Sequence, residues 1–281
     1  MVEPVTIGLA AGYLAKDGFG RLLGPALDEV GKAIARYTEH RLRNVGRIAR
    51  NANQKVANTA EPGAIPMRVA MRVFEEGSFS DDELVVEYLG GVLASSYTPH
   101  GRDDRGNTFT ALVSRLSTYD LRTHCIVYSE VIRLLRSSDL NIQKGVDVIQ
   151  QATIFVPFEA YNAAMKFGDN EDPNNIFSSV IYNLDREKLI APMAWGDIEH
   201  LAKHFRDVPA QGFVFNPTPF GMTLFLWALG LGHLHANDAF SKDFKMPTIS
   251  DLETNTEAVI TSRVNQFPRP LPRKTERIEP A

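Results

Sequence analysis

The chain has few of the residues and motifs by which catalytic and metal sites are usually recognised. It contains one cysteine, Cys125, so a disulfide within the chain and a four-cysteine zinc site are both excluded. The GxSxG, P-loop and CxxC motifs are absent, which leaves proteolytic and phosphoryl-transfer chemistry without support. The sequence therefore favours a protein that is not an enzyme, needs no cofactor and resides in a reducing, cytoplasmic setting.

Long apolar runs and charge of one sign are also scarce. The formal net charge of −4 gives no overall attraction to nucleic acid or membrane, so such binding needs a local patch. Residues 212–237 hold no Lys, Arg, Asp or Glu, but Asn216 and two prolines interrupt them. About fourteen apolar residues remain where a membrane span needs about twenty, which predicts a buried helix. Because Glu3, Lys16 and Asp17 interrupt the N-terminal stretch, a signal peptide is not expected.

Helical periodicity and helix-capping residues dominate the rest of the chain. One long helix is predicted from Pro25 to about Asn58, since Pro suits a first turn and Glu61-Pro62-Gly63 ends the pattern. Its predicted apolar seam consists of Leu42, Val45, Ala49, Ala52 and Val56. Ser80 with Glu83 predicts a capping box, and Ser117 predicts the start of another helix.

The order of the predicted elements indicates a mainly α fold. It is a multi-helix bundle with a small winged-helix-like β element, for which residues 152–156 and 212–215 are the predicted strands and residues 220–234 the closing helix. Four regions are expected along the chain. They are a Gly/Ala-rich segment at 1–24, a helical core with the long basic helix at 25–136, a mixed winged-helix-like subdomain at 137–245 and an extended or disordered tail at 246–281.

A basic stripe on the long helix is the main candidate site. Five side chains follow one another at helical spacing: Arg36, His40, Arg43, Arg47 and Arg50. Such a stripe binds the phosphate backbone of nucleic acid, another anion or an anionic lipid surface. Two alternatives are a solvated helix face and a face paired with an acidic partner surface.

Histidines and acids supply the remaining candidates. His200 and His204 stand at i and i+4, a spacing that can hold a metal, and His233 with His235 could complete a four-histidine site. The HExxH glutamate is missing, so surface histidine is the favoured interpretation. An acidic cluster is interpreted as helix punctuation: Glu75, Glu76, Asp81, Asp82, Glu83 and Glu87. Cys125 is interpreted as a small buried apolar side chain.

Several segments together resemble a known family. They are the Gly/Ala-rich entry, the long basic helix, Ile65-Pro66, DDELVVEYLGGVLASSY at 81–97, FTALVSRLSTYDLR at 109–122, and, less closely, NLDREKLI at 183–190 and FNPTPFG at 215–221. In these segments, within residues 20–235, the chain resembles the abortive-infection alpha (Abi-alpha) proteins of bacteria. The two prolines of FNPTPFG depart from that family's entry to its last helix. The resemblance implies phage defence by abortive infection and supplies no catalytic residues.

The expected function is therefore an antiviral protein that acts as a sensor or effector through interaction surfaces. Its expected partner is a protein or a phage component, and homo-oligomer formation is an open alternative. Two other functions stay open: a nucleic-acid-binding module that uses the stripe from Arg36 to Arg50, and an effector peripheral to an anionic membrane. A hydrolase that uses the histidine pairs ranks last.

Overall fold

The fold is taken from a computed structural model, which describes residues 20–56, 63–247, 249 and 262–266, and the side chains of all of these except 20–37, 262, 265 and 266. Most of these residues are helical, with a small antiparallel sheet. The helices are α1 (Gly20–Val56), α2 (Met67–Gly77), α3 (Glu83–Ser95), α4 (Gly106–Val113), α5 (Thr118–Leu135), α6 (Gly145–Gln151), α7 (Phe158–Met165), α8 (Pro173–Arg186), α9 (Ile198–Ala202) and α10 (Pro219–Ala228), and a 3₁₀ helix spans Ala236–Phe240. The strands are β1 (Ile154–Pro157), β2 (Ile190–Gly196), β3 (Phe205–Arg206), β4 (Gly212–Pro217), β5 (Ser262–Arg263) and β6 (Asn265–Gln266).

Helix α3 forms the centre of the helical part. Leu84 and every residue from Val86 to Ser95 are buried, because α1, α2, α4, α5 and α10 all pack around it. A Cβ atom at Gly91 would overlap the carbonyl oxygen of Ala228, so the glycine permits the close approach of α10. The burial of a Val or Leu side chain stabilises the fold by about 1.5–3 kcal/mol, which makes α3 the main source of core stability in this layer.

The long helix predicted from Pro25 is present as α1, although it begins earlier, at Gly20. The predicted apolar seam is wrong at Leu42, whose side chain is 67% exposed, and at Ala49, which is also exposed. The buried face contains Ala52, as predicted, together with Asn44 and Ile48, which were not in the predicted seam. Polar partners at the start of α3 determine which face of α1 is buried, so apolar spacing alone gave the wrong stripe.

Helix caps were predicted correctly in one place and wrongly in another. Ser117 caps α5 in a capping box with Asp120, as predicted. The box predicted at Ser80 is wrong, because α3 begins at Glu83 and Asp82 is its cap. The Asp82 carboxylate accepts hydrogen bonds from the backbone N–H groups of residues 84 and 85. Ser80 Oγ accepts one from the Asp82 N–H at 3.3 Å.

The sheet has the strand order β2-β4-β1-β5 with antiparallel pairing. Its strands alternate between two cores: Ile154 and Phe213 face the main core, whereas Phe155 and Val214 face a smaller cluster around Leu201. Strands β1 and β4 coincide with the two predicted strands, and β2 was not predicted. Within the predicted tail, β5 pairs with β1 and β6 pairs with β3.

The predicted closing helix exists as α10 but ends at Ala228 rather than near residue 234. Gly230 has a φ of +79°, and the N–H groups of Gly230 and Leu231 donate to the carbonyls of Trp227 and Leu226 at 3.0 and 2.8 Å. This pair of bonds is a Schellman motif, which stops a helix at a left-handed glycine. Most of α10 is buried, as predicted, and among the described helices none is long and apolar enough to cross a membrane.

Candidate functional site

The basic stripe of α1 runs beside the acidic start of α3. His40 Nε2 lies 2.8 Å from Asp81 Oδ1, and the Arg47 guanidinium forms an ion pair with Glu83. Arg47 also donates to the Asp81 carbonyl oxygen at 3.4 Å. The acids stand at the positive end of α3, where carboxylates are favoured by the helix dipole. Part of the stripe and part of the acidic cluster, separate in sequence, are thus partners within one chain.

The other members of the stripe lie in different surroundings. Arg43 pairs with Glu39 on the same helix at 3.6 Å, and both side chains are exposed. Arg50 is exposed and forms no ion pair with any described residue. Arg36 is in α1, but its side chain lies outside the described part of the chain. Arg43 and Arg50 are therefore the members that an anion reaches without displacing an acid of α3.

Hydrogen bonds and a cation–π contact strengthen the same junction. The Arg41 guanidinium lies over the Phe79 ring, 4.1 Å from its centroid, and Arg41 Nε donates to Ser78 Oγ at 3.0 Å. Asn44 Nδ2 donates to the Ser78 carbonyl and to Asp81 Oδ1, both at 3.2 Å. Because Asn44 is 1% exposed, these bonds satisfy an amide that would otherwise be costly to bury.

A buried ion pair secures the C-terminal part of α1. Lys55 pairs with Glu87 of α3, and their side chains are only 12% and 7% exposed. Lys55 Nζ also donates to the Ala228 carbonyl at the C-terminus of α10, at 3.2 Å, and Asn51 donates to Glu87. Burial lowers the pKa of Lys55, while the Glu87 carboxylate acts in the opposite direction. These bonds connect α1, α3 and α10.

A groove of about 250 Å³ opens next to that junction. Its lining consists of Arg47, Arg50, Asn51, Gln54, Glu83, Val86 and Glu87. An anion in this groove would compete with Glu83 for Arg47, so Arg50 is the cation available to it. Anion or nucleic-acid binding by the stripe stays a prediction.

A polar network inside the core was not predicted from the sequence. His124 of α5 is fully buried, with its Nδ1 2.7 Å from the Tyr88 hydroxyl and its Nε2 3.0 Å from the Gly221 carbonyl oxygen. Since a carbonyl only accepts, Nε2 carries the proton and Nδ1 accepts from Tyr88. Burial lowers the pKa of His124 to about 3, so the ring is neutral. A His and a Tyr spaced by four in an apolar helix, 124 and 128, was the available sequence signal.

Tyr128 extends the network to the sheet. Its hydroxyl donates to the Leu189 carbonyl oxygen at 2.5 Å and accepts from the Thr218 N–H at 2.9 Å. Cys125 lies on the same helix, α5, and is fully buried; burial raises the pKa of its thiol to about 12. A thiol so far from ionisation is a poor nucleophile, and the interpretation of Cys125 as a small buried side chain is confirmed.

The two candidate histidine pairs do not form one metal site. His200 and His204 are neighbours, with ring centroids 5.5 Å apart. His235 instead caps the 3₁₀ helix, and its Nε2 lies 3.0 Å from Gln143 Nε2. In the part of the chain that the structure describes, no three His, Cys, Asp or Glu residues are grouped as a metal site, so His233 completes no such set.

Comparisons with other proteins provide no relative for this chain. No family model, no curated protein and no solved structure matches it. The function therefore has to be argued from the residues and from the surfaces that they form.

Proposed function

We propose that this chain is a phage-defence protein of the abortive-infection type that acts as a sensor or effector through interaction surfaces. The observation that carries the proposal is the place of the segment at 81–97, which is one of the segments that carry the resemblance to the Abi-alpha proteins. That segment supplies α3, around which the helical part packs. A resemblance at buried positions of α3 favours a shared fold. The fold alone does not determine the function, so we infer that the function depends on which partners bind the surface.

The proposal assigns the working surfaces to the exterior of this scaffold. Large apolar side chains are exposed on and after α2, at Met67, Met71 and Phe79, and the Arg41 guanidinium of α1 lies over the Phe79 ring. Exposed methionine and aromatic side chains are enriched where proteins bind other proteins. The proposed partner is a protein or a phage component, with a second copy of the chain as the alternative, and the proposed location is cytoplasmic. The small sheet with α10 is proposed as a winged-helix-like module.

Phage plating tests this function. The gene is expressed in a susceptible bacterium and the efficiency of plating is measured across a broad phage panel. A matched control carries Gly91→Leu, whose side chain overlaps the α10 backbone and disrupts the core. The proposal expects the wild type, and not the control, to reduce plating of at least one phage. Unchanged plating across the panel rejects it.

Nucleic-acid binding is the second candidate function, supported by the two exposed arginines Arg43 and Arg50. A gel shift with the Arg43→Glu/Arg50→Glu double variant tests it without breaking the pairs to α3. Binding should weaken steeply with salt and in the double variant, because phosphate contacts release counterions. Arg102→Glu makes the same type of charge change on another exposed residue. Binding that persists in the double variant, or falls equally in the control, rejects a role for the stripe.

Membrane association is the third candidate and rests on the basic helix and on residues 1–24, most of which lie outside the described structure. Flotation with anionic and with neutral liposomes tests it, using the full chain and a chain that lacks residues 1–24. Flotation of the full chain with anionic liposomes alone supports this function. Equal behaviour of the two chains rejects a role for the N-terminal segment.

A further inference from the structure

A second groove, remote in sequence from the stripe, has a different charge. It lies between α2 and α4, at the start of α10, and has a volume of about 320 Å³. Its lining residues are Arg68, Arg72, Asn107, Thr108, Ala111, Leu112, Arg115 and Phe220. Three arginines and no acid line it. We name it the arginine groove.

The acids near the arginine groove only partly offset its charge. Arg68 lies 3.4 Å from Asp104 and Arg115 lies 2.8 Å from Glu187, and both arginines are exposed. The Arg68–Asp104 pair is exposed, so it is weak and exchanges readily with another anion. The Glu187 side chain is only 15% exposed and accepts two hydrogen bonds from Arg115, so this pair is held more firmly. Arg72 is half-buried and forms no ion pair with any residue in the described ranges. The groove therefore offers one unpaired guanidinium, one that is held loosely and one that is shared with Glu187.

Asn107 supplies an independent indication of a ligand. Its side chain lines the groove and the residue is 8% exposed, yet neither Oδ1 nor Nδ2 has a hydrogen-bond partner among the described residues. Buried amides are nearly always paired, so an unpaired one beside a groove requires explanation. A carboxamide presents a donor and an acceptor side by side, which is the pattern that recognises the edge of a nucleobase.

Phe220 adds a flat apolar surface to the groove. Its ring stacks on Phe109, with centroids 6.0 Å apart and an angle of 26° between the rings. Phe109 in turn packs on Trp227, with centroids 4.5 Å apart. Phe220 remains 37% exposed, so part of its ring is open to another planar group. Such ring surfaces stack nucleobases without regard to their sequence.

We propose that the arginine groove binds a nucleoside monophosphate or diphosphate. The base stacks against Phe220, its polar edge pairs with the Asn107 amide, and the phosphate is held by Arg72 with Arg68 and Arg115. A guanidinium suits phosphate because it donates two parallel hydrogen bonds. The volume agrees with the lower end of small-molecule sites, about 300–1,000 Å³. This proposal does not rest on the phage-defence function.

Isothermal titration calorimetry of the full chain tests the proposal. The probes are AMP, GMP, CMP and UMP, with inorganic phosphate and the four nucleosides as partial ligands. At least one nucleotide is expected to bind more tightly than either of its parts. Asn107→Leu and Arg72→Met should each weaken that binding about tenfold or more, whereas the surface control Arg102→Met should not change it.

Three results would overturn the proposal. The first is no heat of binding for any nucleotide at millimolar concentration. The second is inorganic phosphate that binds as tightly as the nucleotides, which indicates a simple anion site. The third is an affinity unchanged in both variants. Asn107→Leu removes a buried amide without a described partner and keeps a similar volume. If that variant fails to fold, Arg72→Met decides on its own, because Arg72 is half-buried and forms no ion pair with a described residue.

Discussion

The buried imidazole of His124 makes the stability of the fold depend on pH in a defined window. In the unfolded chain a histidine has a pKa of about 6.5, whereas burial lowers the pKa of folded His124 to about 3. Between these values the unfolded chain binds a proton at this residue and the folded chain does not. The contribution to the free energy of unfolding is therefore fully present above about pH 6.5 and is lost as the pH falls towards 3.

The size of this loss follows from proton linkage. Each pH unit inside the window reduces the free energy of unfolding by about 1.4 kcal/mol, so the loss between about pH 6.5 and 4.5 is about 2.7 kcal/mol. A typical domain is stable by about 5–15 kcal/mol, so this is a considerable fraction. The fold also loses stability in acid at Glu187 and Asp103, because an arginine partner lowers the pKa of each carboxylate and protonation weakens that pair. A control that shares them is therefore needed.

His124→Gln is that control, because its amide can donate to the Gly221 carbonyl and accept from Tyr88 but does not titrate. Urea unfolding of both proteins is measured at about pH 7 and about pH 4.5. At pH 7 the wild type should be the more stable by about 1–3 kcal/mol. At pH 4.5 that advantage should shrink or reverse by about 2–3 kcal/mol. If the two proteins differed in free energy of unfolding by the same amount at both pH values, His124 would not be a buried, neutral imidazole.

Three further predictions concern the core. Lys55→Met alone should reduce the free energy of urea unfolding by about 3–5 kcal/mol, because the buried Glu87 carboxylate loses the Lys55 ammonium, whereas Lys55→Met with Glu87→Leu should recover part of that loss. Cys125 should not react with a thiol reagent in the native protein and should react once urea unfolds it, because the thiol is buried and its pKa is raised to about 12. Gly91→Ala should lower the melting temperature by the equivalent of about 1–3 kcal/mol or more, while Gly145→Ala, which meets no atom within 4 Å, should change it little.

Each of these has an opposing outcome. If Glu87→Leu lowered the free energy of unfolding of the Lys55→Met variant further instead of raising it, the result would contradict a stabilising contact between Lys55 and Glu87. Rapid labelling of Cys125 in native protein would show that α5 opens to solvent. Equal melting temperatures for the two glycine variants would contradict the close approach of α3 and α10.

Local signals in the sequence were enough to predict several elements. The existence of the long helix α1, the Ser117 cap and the burial of Cys125 depend on residues close together in the chain, and all three are found in the structure. The same holds for β4 and for the approximate position of α10. Short-range spacing and capping contain this information because they act within one or two turns.

The elements that were missed depend on contacts between distant residues. Strand β2 has the sequence IAPMAWG, without alternation, and becomes a strand by pairing with β4, with a register shift between Pro192 and Ala194. The buried face of α1 was misassigned because Asn44 is selected by partners at the start of α3. The arginine groove was not predicted for the same reason, since Arg72, Asn107 and Phe220 come from three separate elements.

We propose that the chain protects bacteria from phage through an exposed surface of this scaffold. Efficiency of plating tests this on cells that express the wild type or the Met67→Ser/Met71→Ser variant, which changes two exposed side chains of that surface, once unfolding curves show equal stability. We expect the wild type to reduce plating and the variant to restore it towards the level of the empty vector. A wild type that gives no protection, or a stable variant that protects as well as the wild type, would contradict this proposal.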